Sequence, residues 1–104
     1  MSEGVTIIVT VAIKPEFTDA FVEYIREMLP VIRLRKGFRN IRLLRSDTAP
    51  NQFMLVQEWD EAQNYEDYLQ FRVGTGDVEK LLEMTANDPQ VGIWAASPLA
   101  AAQA

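Results

Sequence analysis

The sequence predicts an α+β fold in which an antiparallel sheet carries its helices on one face. Three observations predict it. Apolar residues alternate with period two over residues 5–13 and 52–60, they recur every three or four positions between 17 and 32, and turn-forming residues divide the chain into strand, helix, strand, strand, helix, strand. That order is the ferredoxin-like βαββαβ pattern. At 104 residues the chain makes a single domain, 1–104, with its core over about 5–97 and a flexible alanine-rich tail at 98–104. A chain this short buries only about 60–70% of the surface its unfolded form exposes, so self-association would help it.

The first strand sets Val5, Ile7, Val9, Val11 and Ile13 on one face and Thr6, Ile8, Thr10 and Ala12 on the other. Lys14-Pro15-Glu16 starts a helix, because proline is tolerated in a first turn. Phe17, Phe21, Tyr24, Met28 and either Val31 or Ile32 form its apolar stripe. Pro30 lacks a backbone donor and is expected to kink or end the helix. After Lys36-Gly37, a second strand over 38–46 would put Phe38, Asn40, Arg42 and Leu44 on one side and Arg39, Ile41, Leu43 and Arg45 on the other, so both faces are mixed. Residues 47–51 are a turn by their chemistry. The third strand, 52–60, sets Phe53, Leu55, Gln57 and Trp59 against Met54, Val56 and Glu58. Asp60 is the expected cap of a helix over 61–73, which Gly74-Thr75-Gly76 interrupts. Asp77 then caps a short helix to about residue 85 with Val78, Leu81 and Leu82 buried, and Asn87-Asp88-Pro89 leads into a last strand over 90–97. Helices on one side leave the other sheet face uncovered, and residues such as Ile8 and Ala12 there predict burial against a second copy, a homodimer.

Composition narrows the chemistry. The chain has no histidine and no cysteine, which removes zinc sites built on those residues, histidine-ligated haem, a Ser-His-Asp triad and a thiolate nucleophile. The remaining phenol, indole, guanidinium, carboxylate and amide groups suit flat organic ligands better than phosphates or metals. The net charge of −5 hides a segregation: Arg26, Arg33, Arg35, Lys36, Arg39, Arg42 and Arg45 crowd one segment, while residues 47–88 are mostly acidic. That acidic half argues against a nucleic-acid partner and for a structural or subunit-pairing use of the charges. The longest apolar run, broken by Thr6 and Thr10, falls far short of the roughly 20 residues of a membrane span. No basic segment precedes it as a signal peptide would require, so no membrane partner and a cytoplasmic location are expected. Glu58, Asp60 and Glu61 alternate in direction and read as a solvated strand end in preference to a Mg²⁺ site, so no metal is expected. Gly74-Thr75-Gly76 follows a helix and reads as a hinge, not a phosphate loop.

The candidate functional residues cluster in sequence. Trp59 closes the third strand, Tyr65 and Tyr68 lie three apart on the next helix, and Phe71 and Arg72 add a further turn. Together they could border a pocket between sheet and helices. Aromatics at helical spacing are equally expected of a core, which suits Trp59 and Phe71. Three polar tips on one short helix, those of Tyr65, Tyr68 and Arg72, are more than packing requires. Asn40 and Arg42 either reach the same cavity or make inter-strand or subunit contacts.

Val-Ala-Ile-Lys-Pro-Glu at 11–16, the helix-to-strand turn at 33–37, Gln-Glu-Trp-Asp at 57–60 and Tyr65-Glu-Asp-Tyr68-Leu-Gln-Phe71-Arg72 running to Gly76-Asp77 resemble the antibiotic biosynthesis monooxygenase domain family. The resemblance covers about residues 5–97 and implies a dimeric α/β barrel. Some members of that family oxygenate polycyclic phenols or quinols without metal or flavin, others degrade haem, and many have no known activity. In the polyketide-oxidising members, a strand-closing Trp and a Tyr six residues later are implicated in substrate binding and proton transfer, and Trp59 and Tyr65 match that spacing. Leu55 stands where those members carry an Asn, which weakens the case for an anthrone-like substrate. Tyr68 and Asp77 stand near positions where quinol-oxidising and haem-degrading members carry His, and the lack of any imidazole argues against haem degradation.

The resemblance thus implies a cofactor-independent monooxygenase that oxidises an aromatic polyketide, phenol or quinol with dioxygen, the substrate supplying the electrons. Tyr65, Tyr68 and Arg72 would be catalytic, the phenols relaying a proton and the guanidinium stabilising a phenolate or enolate oxygen. Trp59, Phe71 and Asn40 would bind the substrate, with no cofactor. The alternatives are a non-oxidative isomerase or small-ligand-binding module on the same barrel, and a dimerisation domain whose aromatics only fill the core. A cavity bordered by Tyr65, Tyr68 and Arg72 would separate the ligand-binding readings from the last.

Overall fold

In the computed structural model, which describes residues 3–104, the elements are β1 (Val5–Ala12), a 3₁₀ turn (Pro15–Phe17), α1 (Thr18–Ile32), β2 (Phe38–Arg45), β3 (Gln52–Trp59), α2 (Ala62–Gly74), α3 (Asp77–Met84) and β4 (Gln90–Ala95). Every strand pairing is antiparallel and the sheet order is β2-β3-β1-β4. This is the ferredoxin-like α+β arrangement that the periodicities predict.

The core forms where the helices meet the two central strands. Ile7, Val9 and Val11 of β1, Ile13 just beyond it, and Phe53, Leu55, Gln57 and Trp59 of β3 are all buried on one face. Helix α1 covers them with Phe21, Ile25, Met28 and Ile32, spaced four, three and four residues apart, and the Phe21 and Phe53 rings meet at 4.9 Å. Ile25 joins this stripe, Tyr24 is only half-buried beside it, Ile32 and not Val31 closes it, and Phe17 falls outside it. The reason is that residues 15–17 form a separate turn, so the helical phase starts only at Thr18. Pro30 does not stop the helix, which continues to Ile32. One missing donor within the last turn costs little where the hydrogen-bond ladder is already ending.

Strand β2 differs from strict alternation in an informative way. A β-bulge lies between Phe38 and Asn40, whose partners on β3 are the adjacent residues Trp59 and Glu58. The extra residue, Arg39, brings Phe38 onto the same side as Ile41 and Leu43, so all three pack against the core. The mixed faces expected of this strand are thereby sorted. Arg39 itself pairs with Asp60 at 2.6 Å and donates to the Glu3 carbonyl at 2.8 Å.

Asp60 is therefore used by Arg39, and the residue at the start of α2 is Glu61, whose backbone N–H is accepted by the Asn64 side chain at 3.0 Å. Gly37 has a positive φ of 81°, and a Cβ there would collide with that Asn64 side chain. Helix α3 starts after Gly76, with φ of 83°, and not from an Asp77 cap. None of its residues is fully buried, and Leu82 is exposed, because α3 lies at the edge of the core.

The outer strand β4 pairs Val91 with Val9 and Ile93 with Ile7, which puts both on the helix side of the sheet. They nevertheless stay 51% and 49% exposed, because the helices do not reach over this edge. On the opposite sheet face Thr6, Ile8, Thr10, Met54 and Val56 are half-buried and Arg42, Leu44, Glu58 and Trp94 are exposed. Among the described residues no helix covers that face. No helix of the described chain is long and apolar enough to cross a membrane.

Candidate functional site

Trp59, Tyr65, Tyr68 and Arg72 come together as one packed layer between sheet and helices. Trp59 is fully buried and its indole N–H donates to Gln57 Oε1 at 3.0 Å, which satisfies both polar groups inside the core. Its ring touches Phe38 at 5.4 Å, Tyr68 at 5.6 Å and Tyr65 at 6.3 Å between centroids. The Tyr68 hydroxyl donates to Met28 Sδ at 3.7 Å, a soft and weak acceptor. Burial pushes the Tyr68 phenol up to about 12, only partly offset by the nearby Arg72 charge.

Arg72 is the hub of a second set of contacts. Its guanidinium donates to the Tyr24 hydroxyl at 3.0 Å and pairs with Asp77 Oδ2 at 3.3 Å. Tyr24 in turn donates to the Asp77 carbonyl at 2.8 Å, and Thr75 Oγ1 donates to Asp77 Oδ2 at 2.6 Å. One guanidinium thus ties α1, α2 and α3 together. Burial disfavours its charge, but the Tyr24 hydrogen bond and the neighbouring Tyr24, Tyr68 and Asp77 outweigh that and raise its pKa. Its donors are turned toward these protein partners, not toward a ligand.

Phe71 and Asn40 lie apart from this layer. Phe71 is half-exposed on the outside of α2 with the Arg35 guanidinium 4.5 Å over its ring. Asn40 is exposed and stands opposite Glu58, on the sheet face away from the helices.

Of the four packed residues, Tyr65 lines a groove. A groove of about 390 Å³ runs between α2 and the uncovered edge of β4, lined by Gln63, Tyr65, Glu66, Asp67, Leu69, Gln70, Val91 and Ile93. Tyr65 is 6% exposed, and its hydroxyl receives no hydrogen bond from the described residues. No buried side-chain oxygen or nitrogen among them lacks a partner, so this hydroxyl opens to the groove. Its pKa is raised, first by burial and then by the negative charge of Glu66. A raised phenol is a donor and not a base at neutral pH. Four residues of spacing put Leu69 on the same side of α2 as Tyr65, and Tyr68 and Arg72 on the inner side.

Sequence reasoning did not single out Glu66, Leu69, Val91 or Ile93 for this groove. The signal was the phase of β4, whose Val91 and Ile93 continue the Val9 and Ile7 face beyond the last helix. A larger groove of about 780 Å³ lies at the far end of the sheet, with Thr10, Ala12, Leu44, Met54, Asn87 and Gln90 among its walls, and includes none of the candidate residues. Among the described residues, no group of three or more acidic side chains is arranged to hold a metal ion.

Comparison with known proteins agrees with this architecture. A sequence model of the antibiotic biosynthesis monooxygenase family matches residues 4–72, from the start of β1 to Arg72. The chain belongs to the antibiotic biosynthesis monooxygenase family. Among solved structures, a conserved protein of Methanosarcina mazei Go1 superposes with a TM-score of 0.82 at 12% identity, over 90% of this chain and 93% of that one. An antibiotic biosynthesis monooxygenase superposes with a TM-score of 0.79 at 21% identity, over 90% and 99%. A Mycobacterium tuberculosis protein gives 0.79 at 16% identity, over 97% and 100%. At these identities the likeness is one of fold. No curated protein matches the sequence.

Proposed function

We propose that this protein is a cofactor-independent monooxygenase that oxidises a phenol, quinol or aromatic polyketide with dioxygen, with the substrate held in the α2–β4 groove against Tyr65. The carrying observation is Tyr65, a residue only 6% exposed whose hydroxyl has no partner among the described residues and opens to a groove whose other walls include the apolar Leu69, Val91 and Ile93. A hydroxyl that meets solvent at the mouth of an otherwise buried ring can exchange water for a ligand oxygen, and a flat ring with an oxygen substituent supplies one. The groove falls at the lower end of the usual size of small-molecule sites, about 300–1,000 Å³.

In this reading the substrate carries the redox chemistry. A ring CH₂ flanked by aromatic rings, or the ring CH₂ of a phenol in its keto form, gives up four electrons to O₂ and both of its hydrogens as protons, so that R₂CH₂ and O₂ become R₂C=O and H₂O. One oxygen atom becomes the new carbonyl and the other leaves as water. The protein orients the ring, excludes water from the apolar side and donates a hydrogen bond from Tyr65 to the substrate oxygen as it gains charge. Tyr68, Trp59 and Arg72 act one layer further in, holding Tyr65 and α2 in place. The uncovered sheet face supports the dimeric barrel that family membership implies.

The test is dissolved-oxygen uptake by metal-stripped protein with hydroquinones, naphthols and anthrone-like tricyclics, against a protein-free blank for autoxidation. Saturable uptake is expected, and Tyr65→Phe should lower kcat by about 10²-fold or more while leaving the melting temperature unchanged. Tyr68→Phe should retain most of the turnover. Uptake that Tyr65→Phe does not reduce would remove Tyr65 from the chemistry. Absence of uptake with a ligand-dependent melting shift would favour the isomerase or binding-module alternative.

A further inference from the structure

The α2–β4 groove carries a sign of charge that the family reading does not supply. Among the described residues, its only ionisable side chains besides Tyr65 are Glu66 and Asp67, and no lysine or arginine lines it. Asp67 is held toward the groove wall by Gln63, whose side-chain amide donates to Asp67 Oδ1 at 2.8 Å. The cations of this region are engaged elsewhere: Arg72 with Asp77 and Tyr24, and Arg35 over the Phe71 ring. The negative field reaches the reacting end of the groove, since Glu66 contributes to raising the Tyr65 phenol. The whole chain, at −5, adds to it.

We propose that this groove selects neutral or cationic aromatic ligands, such as amine-bearing phenols, and rejects carboxylated or sulfated ones. The proposal rests on the reading of the groove as the ligand site and gives that site its substrate class. Two independent features support it: the open hydroxyl of the otherwise buried Tyr65, unpartnered among the described residues, marks where a ring oxygen docks, and the acidic residues one and two positions on mark where a ring substituent emerges. A charge about 4 Å from either carboxylate at this solvent-exposed rim changes the interaction by about 1 kcal/mol, or roughly fivefold in affinity. A ligand substituent that reaches one of the two carboxylates gains about fivefold as a cation and loses about fivefold as an anion, so the groove should separate the two by about 10- to 100-fold at low salt.

The experiment is equilibrium dialysis of the full chain against three ligands that share one ring system, 2-naphthol, an aminomethyl-2-naphthol and a hydroxynaphthoate, at low and high salt. The expected order is amine, then neutral, then carboxylate, with the spread shrinking as salt rises. The Glu66→Gln/Asp67→Asn double variant should collapse the order while leaving 2-naphthol affinity within about twofold. Equal binding of all three ligands, lost in Ile93→Asp, would overturn charge selection and leave the groove as the site. Binding of all three that survives both Ile93→Asp and the double variant would place the ligand elsewhere and overturn both readings, as would no binding by folded wild-type protein.

Discussion

Tyr65 and Tyr68 are three residues apart on one helix and have opposite fates. Tyr68 is turned inward and spends its hydroxyl on a methionine sulfur, while Tyr65 keeps an open hydroxyl at the groove. Sequence spacing shows that both tyrosines share a broad side of α2, but it does not say which side of that face meets a neighbouring helix. That depends on α1, whose Met28 fills the space above Tyr68. The buried phenols also predict a pH response. Tyr24, Tyr65 and Tyr68 all hold their protons above the ordinary value of 10.0. The folded state therefore retains protons that the unfolded chain gives up. Their stabilising contribution is intact below about pH 10 and is lost as pH rises through the folded values, about 12 for Tyr68. For Tyr68 alone the full loss amounts to about 2–3 kcal/mol. Urea denaturation of Tyr68→Phe should show a shallower fall in stability between pH 10 and 12 than wild type. An unchanged slope would contradict the burial of this hydroxyl.

At the scale of elements, the strands were more legible than the helix ends. The β1 and β3 faces follow directly from period-two alternation, because each strand is bounded by one solvent-free layer and one milder one. The short helix after Gly76 was harder to read. Its expected apolar stripe of Val78, Leu81 and Leu82 is only partly covered, because α3 is fixed less by burial than by the Arg72–Asp77–Tyr24 contacts. No periodicity announces such a contact, since its three residues come from three helices. Arg72→Ala removes the shared partner and leaves Asp77 and Tyr24 without it. It should cost about 2–4 kcal/mol in urea denaturation and release α3 first, seen as faster amide exchange at residues 77–84 than in α1. Arg72→Lys should restore little, because one ammonium cannot copy the two-direction fork. Exchange that is uniform across both helices would show that the contact does not hold α3.

At the scale of the whole molecule, sheet order and the location of the helical layer follow from the order of elements, and the uncovered second face follows with them. The lining of the groove did not, because it needs the third dimension: Val91 and Ile93 are separated from Tyr65 by α3 and a turn, and only the β1–β4 pairing aligns them. The uncovered face, with Ile8, Thr10, Met54 and Val56 half-buried at its centre, should be closed by a second copy. Sedimentation equilibrium should give twice the chain mass. Val56→Arg, which places a charge in the middle of that face, should shift the protein toward monomer while preserving its far-ultraviolet circular dichroism. A monomeric wild type would leave this face exposed and remove the dimeric barrel from the proposed function.

The bulge in β2 makes the strand tolerant of one kind of genetic lesion and intolerant of another. Side-chain direction in a strand is a matter of parity, so losing one ladder residue inverts everything on one side of the gap. Arg39 is an exception, because it is the residue without a place in the ladder. Removing it would leave Phe38 and Ile41 separated by Asn40 alone, both still facing the helices, at the expense of the Asp60 pair and the Glu3 contact. Deleting Asn40 would give the same parity, with Arg39 taking its ladder place, whereas deleting Arg42 would turn apolar residues into solvent. A codon deletion at position 39 should therefore yield folded protein with a modest loss of stability, and the same deletion three codons later should yield none.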